Sequence, residues 1–136
     1  MTCSDESHIY EAKDDDTPAF VGIDTFLQGP FVKTPRQLRE YNADVAIIGA
    51  PFDLGVVHKP GARFGPRAIR QAGYFGAPND DIYHIGLGIY PTDELKVVDY
   101  GDANCPPNSI ELSHRAIEEK VRQILDTDTI PLVIGG

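Results

Sequence analysis

The sequence predicts an α/β domain built on a parallel sheet covered by helices. Three observations carry that prediction. Residues 44–51, 96–102 and 130–136 contain apolar runs that are continuous rather than alternating, as in strands buried on both faces. Helix-type segments separate them, at 66–72 and from 108 to about 125. Strand, helix, strand, helix, strand is the order that right-handed crossovers convert into parallel pairing. Finally, 136 residues with 41% hydrophobic and 24% charged content suit one globular domain, or a piece of one.

The elements follow in order. Residues 1–16 hold six acids (Asp5, Glu6, Glu11, Asp14, Asp15, Asp16) against Lys13, more than half of the chain's net charge of −9. A block of this kind is expected to be solvated, so 1–17 reads as an acidic flexible arm. Residues 17–43 mix proline and glycine breaks with Phe20, Phe26, Leu27, Phe31 and Val32. Such side chains imply a segment that packs on its own domain or on a neighbouring subunit. Within it, 36–41 forms a short helical turn. The first strand, 44–51, stops at Gly49-Ala50-Pro51 and a loop runs from 52 to 65. Pro66 suits a first helical position, with Gly65 as cap and Gly73 as stop. Residues 74–94 form a long excursion in which Ile82, Ile85, Leu87 and Ile89 supply a short strand or hairpin. After the second strand, Asn108 and Glu111 have the spacing of a capping box. The helix that follows places Ile110, His114, Ile117, Val121 and Ile124 or Leu125 on one apolar face. The third strand ends in Gly135-Gly136, and a strand ending there reads as interrupted.

Several function classes are excluded. The acidic balance argues against nucleic acid as a partner. No apolar run nears the roughly 18 residues of a membrane span, and the acidic N-terminus is no signal peptide. Cys3 and Cys105 are too few for a disulfide framework, so a cytoplasmic setting is expected. There is no phosphate loop, and Gly86-x-Gly88 lacks the rest of a dinucleotide fingerprint. No serine nucleophile elbow and no zinc-type pair of histidines or cysteines is present. Cys105 reads as a packed small residue, and His114 as a partly buried one.

Ligands of parallel sheets collect beyond the carboxyl ends of the strands. Here those ends carry Asp53, Asp99 and Asp102. Two roles are open to them: binding a divalent metal or a cationic substrate, or capping loops and pairing with Arg63, Arg67 and Arg70. His58, beside Lys59 in the loop, is a further pocket candidate.

Residues 43–70, ADVAIIGAPFDLGVVHKPGARFGPRAIR, resemble the opening strand, loop and first helix of the ureohydrolase family, which includes arginase and agmatinase. The most diagnostic part is 60–70, PGARFGPRAIR. Val97-Val98-Asp99-Tyr100-Gly101-Asp102 is similar to the family's second landmark. Residues 130–136 are similar to the strand that leads into its first metal motif. Gly22-Ile23-Asp24-Thr25-Phe26, with Gly29-Pro30, is closer to agmatinase-type members. The resemblance spans roughly 18–136, read as the N-terminal portion of one such domain.

The resemblance implies a three-layer α/β/α fold with a mostly parallel sheet. It implies two divalent metal ions, Mn²⁺ with Ni²⁺ as the alternative, whose ligands would lie beyond Gly136. No catalytic residue and no metal ligand of the family maps onto this chain. The implied activity is hydrolysis of a cationic guanidino compound (agmatine, guanidinobutyrate, guanidinopropionate or guanidine) to urea and an amine. The 136 residues alone are expected to be inactive. Phe52, Asp53, His58 and Arg63 are the substrate-pocket candidates, with Arg63 more suited to anchoring the loop than to meeting a guanidinium of like charge. Expected partners are further copies of the chain, as a trimer or hexamer, or a complementary C-terminal chain. The alternative is a non-catalytic structural or regulatory module derived from the same fold.

Overall fold

The structure is a computed structural model that describes residues 9–10, 21–73 and 83–135. Phe20, Ile82, Gly136 and most of the acidic arm lie outside the described residues.

A three-stranded sheet forms the centre, made of β1 (Val45–Ala50), β2 (Val97–Asp102) and β3 (Ile130–Gly135). Its order is β2-β1-β3 and both pairings are parallel. Val45 stands opposite Val97 on one side and Ile130 on the other. Among the described residues four helices accompany it: α1 (Pro35–Tyr41), α2 (Gly65–Ala72), α3 (Pro91–Glu94) and α4 (Ile110–Leu125).

Strand alternation sorts the layers. Ala46 and Ile48 of β1, with Val98 and Tyr100 of β2, join Leu38 of α1, Ile124 of α4, Val32 and Ala43 in one buried cluster. The intervening residues face α2: a Cβ on Gly49 would meet Pro66 Cβ at 2.8 Å, and Asp99 pairs with Arg70. Helices therefore cover both sides of the sheet, as the apolar runs predict.

The segment before β1 docks as expected, with Phe26 and Val32 buried. Leu27 and Gln28 both adopt positive φ, 55° and 54°, which costs a non-glycine residue about 1–2 kcal/mol. The bend is held by Thr25 Oγ1 donating to Gly29 O (2.8 Å) and Gln28 Nε2 donating to Gly73 O (2.8 Å). Two residues of the expected solvated arm are also docked. Phe31 N donates to Tyr10 O at 2.9 Å, and Ile9 packs on the core.

Helix boundaries differ in instructive ways. α1 begins with a full capping box between Thr34 and Gln37. α4 is capped by Ser109, whose hydroxyl accepts from Leu112 N at 3.2 Å, and not by Asn108. α2 starts at Gly65, after a 3-10 turn at Ala62–Phe64.

The buried stripe of α4 is rotated from the expected one. Ser113 and Ile124 are fully buried, whereas His114 is exposed and Ile110 is 45% exposed. A serine is tolerated inside because its hydroxyl donates to Ser109 O (2.8 Å) and lies 3.0 Å from Pro106 O. Lys120 also lies on the sheet side, its ammonium 4.3 Å over the Tyr100 ring. Burial lowers the Lys120 pKa and pushes the Tyr100 phenol up to about 12, Glu119 adding to the latter.

Between α2 and β2, one antiparallel bridge joins His84 to Ile89 around a turn that leaves Ile85 and Leu87 exposed. Gly88, within that turn, sits at φ +70, a conformation open to glycine. β3 was expected to be buried; its Ile130, Leu132 and Val133 are 64%, 50% and 43% exposed. It lies at the sheet edge, with β1 as its one neighbouring strand among the described residues. No helix among the described residues is long and apolar enough to cross a membrane.

Candidate functional site

The loops beyond the carboxyl ends of β1 and β2 gather the charged residues. The first, 52–65, leaves β1 at Pro51 and enters α2. Asp53 is buried at its base. Its carboxylate accepts from Gly61 N (2.7 Å) and Arg63 N (3.4 Å), and Arg63 Nε and Nη2 close on Asp53 Oδ1. Gly61 makes this approach at φ +131, a conformation open to glycine. The Arg63 guanidinium, aided by the Gly61 amide, holds the Asp53 carboxyl down to about 2. The pair clasps the loop at its neck.

A recess of about 240 Å³ opens beside the clasp, lined by Phe52, Asp53, Gly55, Val56 and Ala62. Two of the four pocket candidates, Phe52 and Asp53, thus line one recess, and Arg63 holds Asp53. His58 is exposed on the outer turn next to a fully exposed Val57, and is not among the lining residues. The start of α2 lies beside the end of β3: a Cβ on Gly65 would stand 3.4 Å from Gly135 O.

The second cluster centres on Asp99, completely buried at 0% exposure. It accepts from Arg70 Nε (2.7 Å), Arg70 Nη2 (3.0 Å), Phe26 N (2.9 Å) and Gly101 N (2.8 Å). Arg70 Nη1 reaches Asp102 Oδ1 at 2.8 Å, and its guanidinium lies 3.9 Å over the Phe26 ring. Desolvation pulls the Arg70 pKa down, but Asp99 and Asp102 together outweigh it and the net direction is up. Gly49 completes the knot, since a Cβ there would fall 1.9 Å from Asp102 Oδ1. Of the two roles open to the strand-end aspartates, pairing with arginine is the one realised, by Arg63 and Arg70; Arg67 is exposed. Cys105 is half-buried, and burial, reinforced by Asp102, raises its thiol pKa, consistent with a packing role.

Sequence reasoning missed Phe26 and Gly49 as parts of this cluster, and it missed the ring contact between Phe52 and His114. A glycine next to the end of a buried strand is the one signal that pointed to Gly49.

This geometry belongs to a stretch with known relatives, since the sequence model of the arginase family matches residues 43–136. The chain belongs to the arginase family. It is 35% identical over 119 residues to guanidinobutyrase from Pseudomonas aeruginosa, an alignment that covers 88% of this chain and 35% of that protein. Among solved structures it is similar to a hypothetical agmatinase from Burkholderia thailandensis, with a TM-score of 0.69 and 28% identity over 100% of this chain and 39% of the other. It is also similar to Trypanosoma cruzi formiminoglutamase with Mn²⁺, with a TM-score of 0.56 and 34% identity over 72% and 33%. The fold is thus the arginase-like α/β fold. The chain spans about a third of the length of the curated relatives it matches.

The metal pair associated with arginase-family enzymes does not fit the described residues. No three histidine, cysteine, aspartate or glutamate side chains converge among them. The carboxylates placed nearest the strand ends, Asp53, Asp99 and Asp102, are already matched by arginines.

Proposed function

We propose that this chain is the N-terminal part of an amidinohydrolase that releases urea from a guanidino compound. The observation that carries the reading is the arginase-family match, joined to a loop after β1 that the Asp53–Arg63 pair clasps beside a recess. Relatives similar over most of the chain are named for guanidinobutyrate and guanidinopropionate. Agmatine and guanidine complete the set of candidate substrates. The role of these 136 residues is structural at the pocket. The Asp53–Arg63 clasp fixes the loop and leaves no unmatched carboxylate or guanidinium at its neck. Phe52 and Val56 then offer apolar wall to a substrate's methylene chain. Two divalent ions, Mn²⁺ or alternatively Ni²⁺, would be held by ligands outside this chain, in further sequence or in a complementary chain. A homo-oligomeric assembly, trimer or hexamer, in the cytoplasm goes with this reading.

A colorimetric urea assay on the complete protein, loaded with Mn²⁺ or Ni²⁺, tests the proposal against those four compounds. Urea from at least one of them, and none from residues 1–136 alone, is expected. No urea from any of them overturns it.

A second reading has its own support. With every strand-end aspartate paired and no ligand cluster among the described residues, these residues also suit a non-catalytic structural or regulatory partner of a related subunit. Copurification of the untagged chain with an active arginase-family subunit whose turnover does not need it favours that alternative.

A further inference from the structure

We propose that His114 is a positioning residue for the recess, bracing the ring of Phe52, one of the residues that line it. Phe52 lies two residues beyond the end of β1, on a loop. Its amide donates to Ala50 O at 2.8 Å, which fixes the backbone but leaves the ring direction to be set by packing. Phe52 is one of the residues that line the recess, and its ring meets the His114 imidazole edge-on, with centroids 4.9 Å apart and planes at 61°. This is the favoured geometry for an aromatic pair.

His114 is well placed for such a task. It is carried by α4, a helix of 16 residues, and not by a loop. Its neighbour Ser113 is fully buried and hydrogen-bonded, which fixes the helix at that turn. The imidazole itself is exposed, so burial is not what holds it against Phe52. The helical pattern assigns His114 to the apolar face; the structure leaves it exposed, against the ring of Phe52 in the loop after β1. α4 is thereby coupled to loop 52–65, which is otherwise fastened through Asp53, Arg63 and α2.

The consequence for substrate rests on the proposed function: a braced Phe52 presents a preformed wall, and an unbraced one must be ordered when substrate binds. An edge-to-face pair is worth about a 2- to 10-fold change in an equilibrium.

The test uses the complete protein with 4-fluorophenylalanine introduced at position 52, and the substitutions His114→Ala and His114→Phe. The fluorine resonance is expected to move and broaden in His114→Ala and to stay sharp in His114→Phe. Urea-release kinetics are expected to show KM raised about 2- to 10-fold in His114→Ala with kcat little changed, and KM restored in His114→Phe. A fluorine resonance indifferent to His114→Ala overturns the proposal, whatever the kinetics. Equal damage from both substitutions also overturns it, since that marks a generic packing role. If the parent releases no urea, the proposed function falls, and the fluorine spectra alone decide whether His114 braces Phe52.

Discussion

Asp53 and Asp99 show how the same residue type does different work at two strand ends. Asp53 titrates near 2, below its ordinary 3.8, because Arg63 and the Gly61 amide favour the charged form. A lowered folded-state pKa stabilises the protein fully above the unfolded value and loses that contribution as the pH falls through the folded value. Asp53→Asn is therefore expected to lower the melting temperature by a constant amount above about pH 4. The gap should close between about pH 4 and 2. Melting curves across pH 2–7 check this, and a gap of undiminished size at pH 2 contradicts it. Asp99 is a buried ion-pair member with four donors. Asp99→Ala takes the buried partner from the Arg70 guanidinium and leaves it Asp102 alone, and a loss of about 3 kcal/mol is expected in denaturant unfolding. The choice between metal ligand and arginine partner was open in the sequence for both aspartates. Spacing along a chain does not say which guanidinium arrives, because Asp99 and Arg70 are 29 residues apart and meet only through the sheet.

Among the elements, strands were more legible than helix caps. β1 and β2 are where the continuous apolar runs place them, since burial on both faces leaves no alternative pattern. The cap of α4 lies one residue later than the capping-box spacing places it, because Asn108 and Ser109 are both good caps. Ser109→Ala should cost about 1 kcal/mol and Asn108→Ala close to none, by the same unfolding measurement. An equal cost for the two would restore the asparagine as the cap. The α4 stripe departs from its sequence pattern for a related reason. Hydrophobic spacing counts Ile110 and His114 as inner residues, whereas the helix turns the small, self-satisfied Ser113 toward Pro106 and the lysine stem of Lys120 over Tyr100. Amphipathic side chains such as lysine cover apolar surface while their charge reaches water, so residue type alone does not reveal the inner face.

At the scale of the whole molecule, the sheet presents its largest apolar exposure at β3. An open strand edge flanked by such side chains pairs readily with another chain. The isolated 136-residue chain is expected to self-associate in light scattering, and Leu132→Lys to reduce that association; a dilute monomer that melts cooperatively contradicts this. What the sequence by itself determined is the class of fold, the order of strands along the chain and the arginase-type signature of 43–136. These are properties of local pattern, written in hydrophobic period, turn chemistry and motif. Only the tertiary structure decided that Arg63 and Arg70 consume the strand-end carboxylates, that Phe26 and Gly49 complete the Asp99 knot, and that His114 faces Phe52. Those pairings depend on which distant segments the parallel crossovers bring to one edge, and that geometry exists only once the sheet has formed.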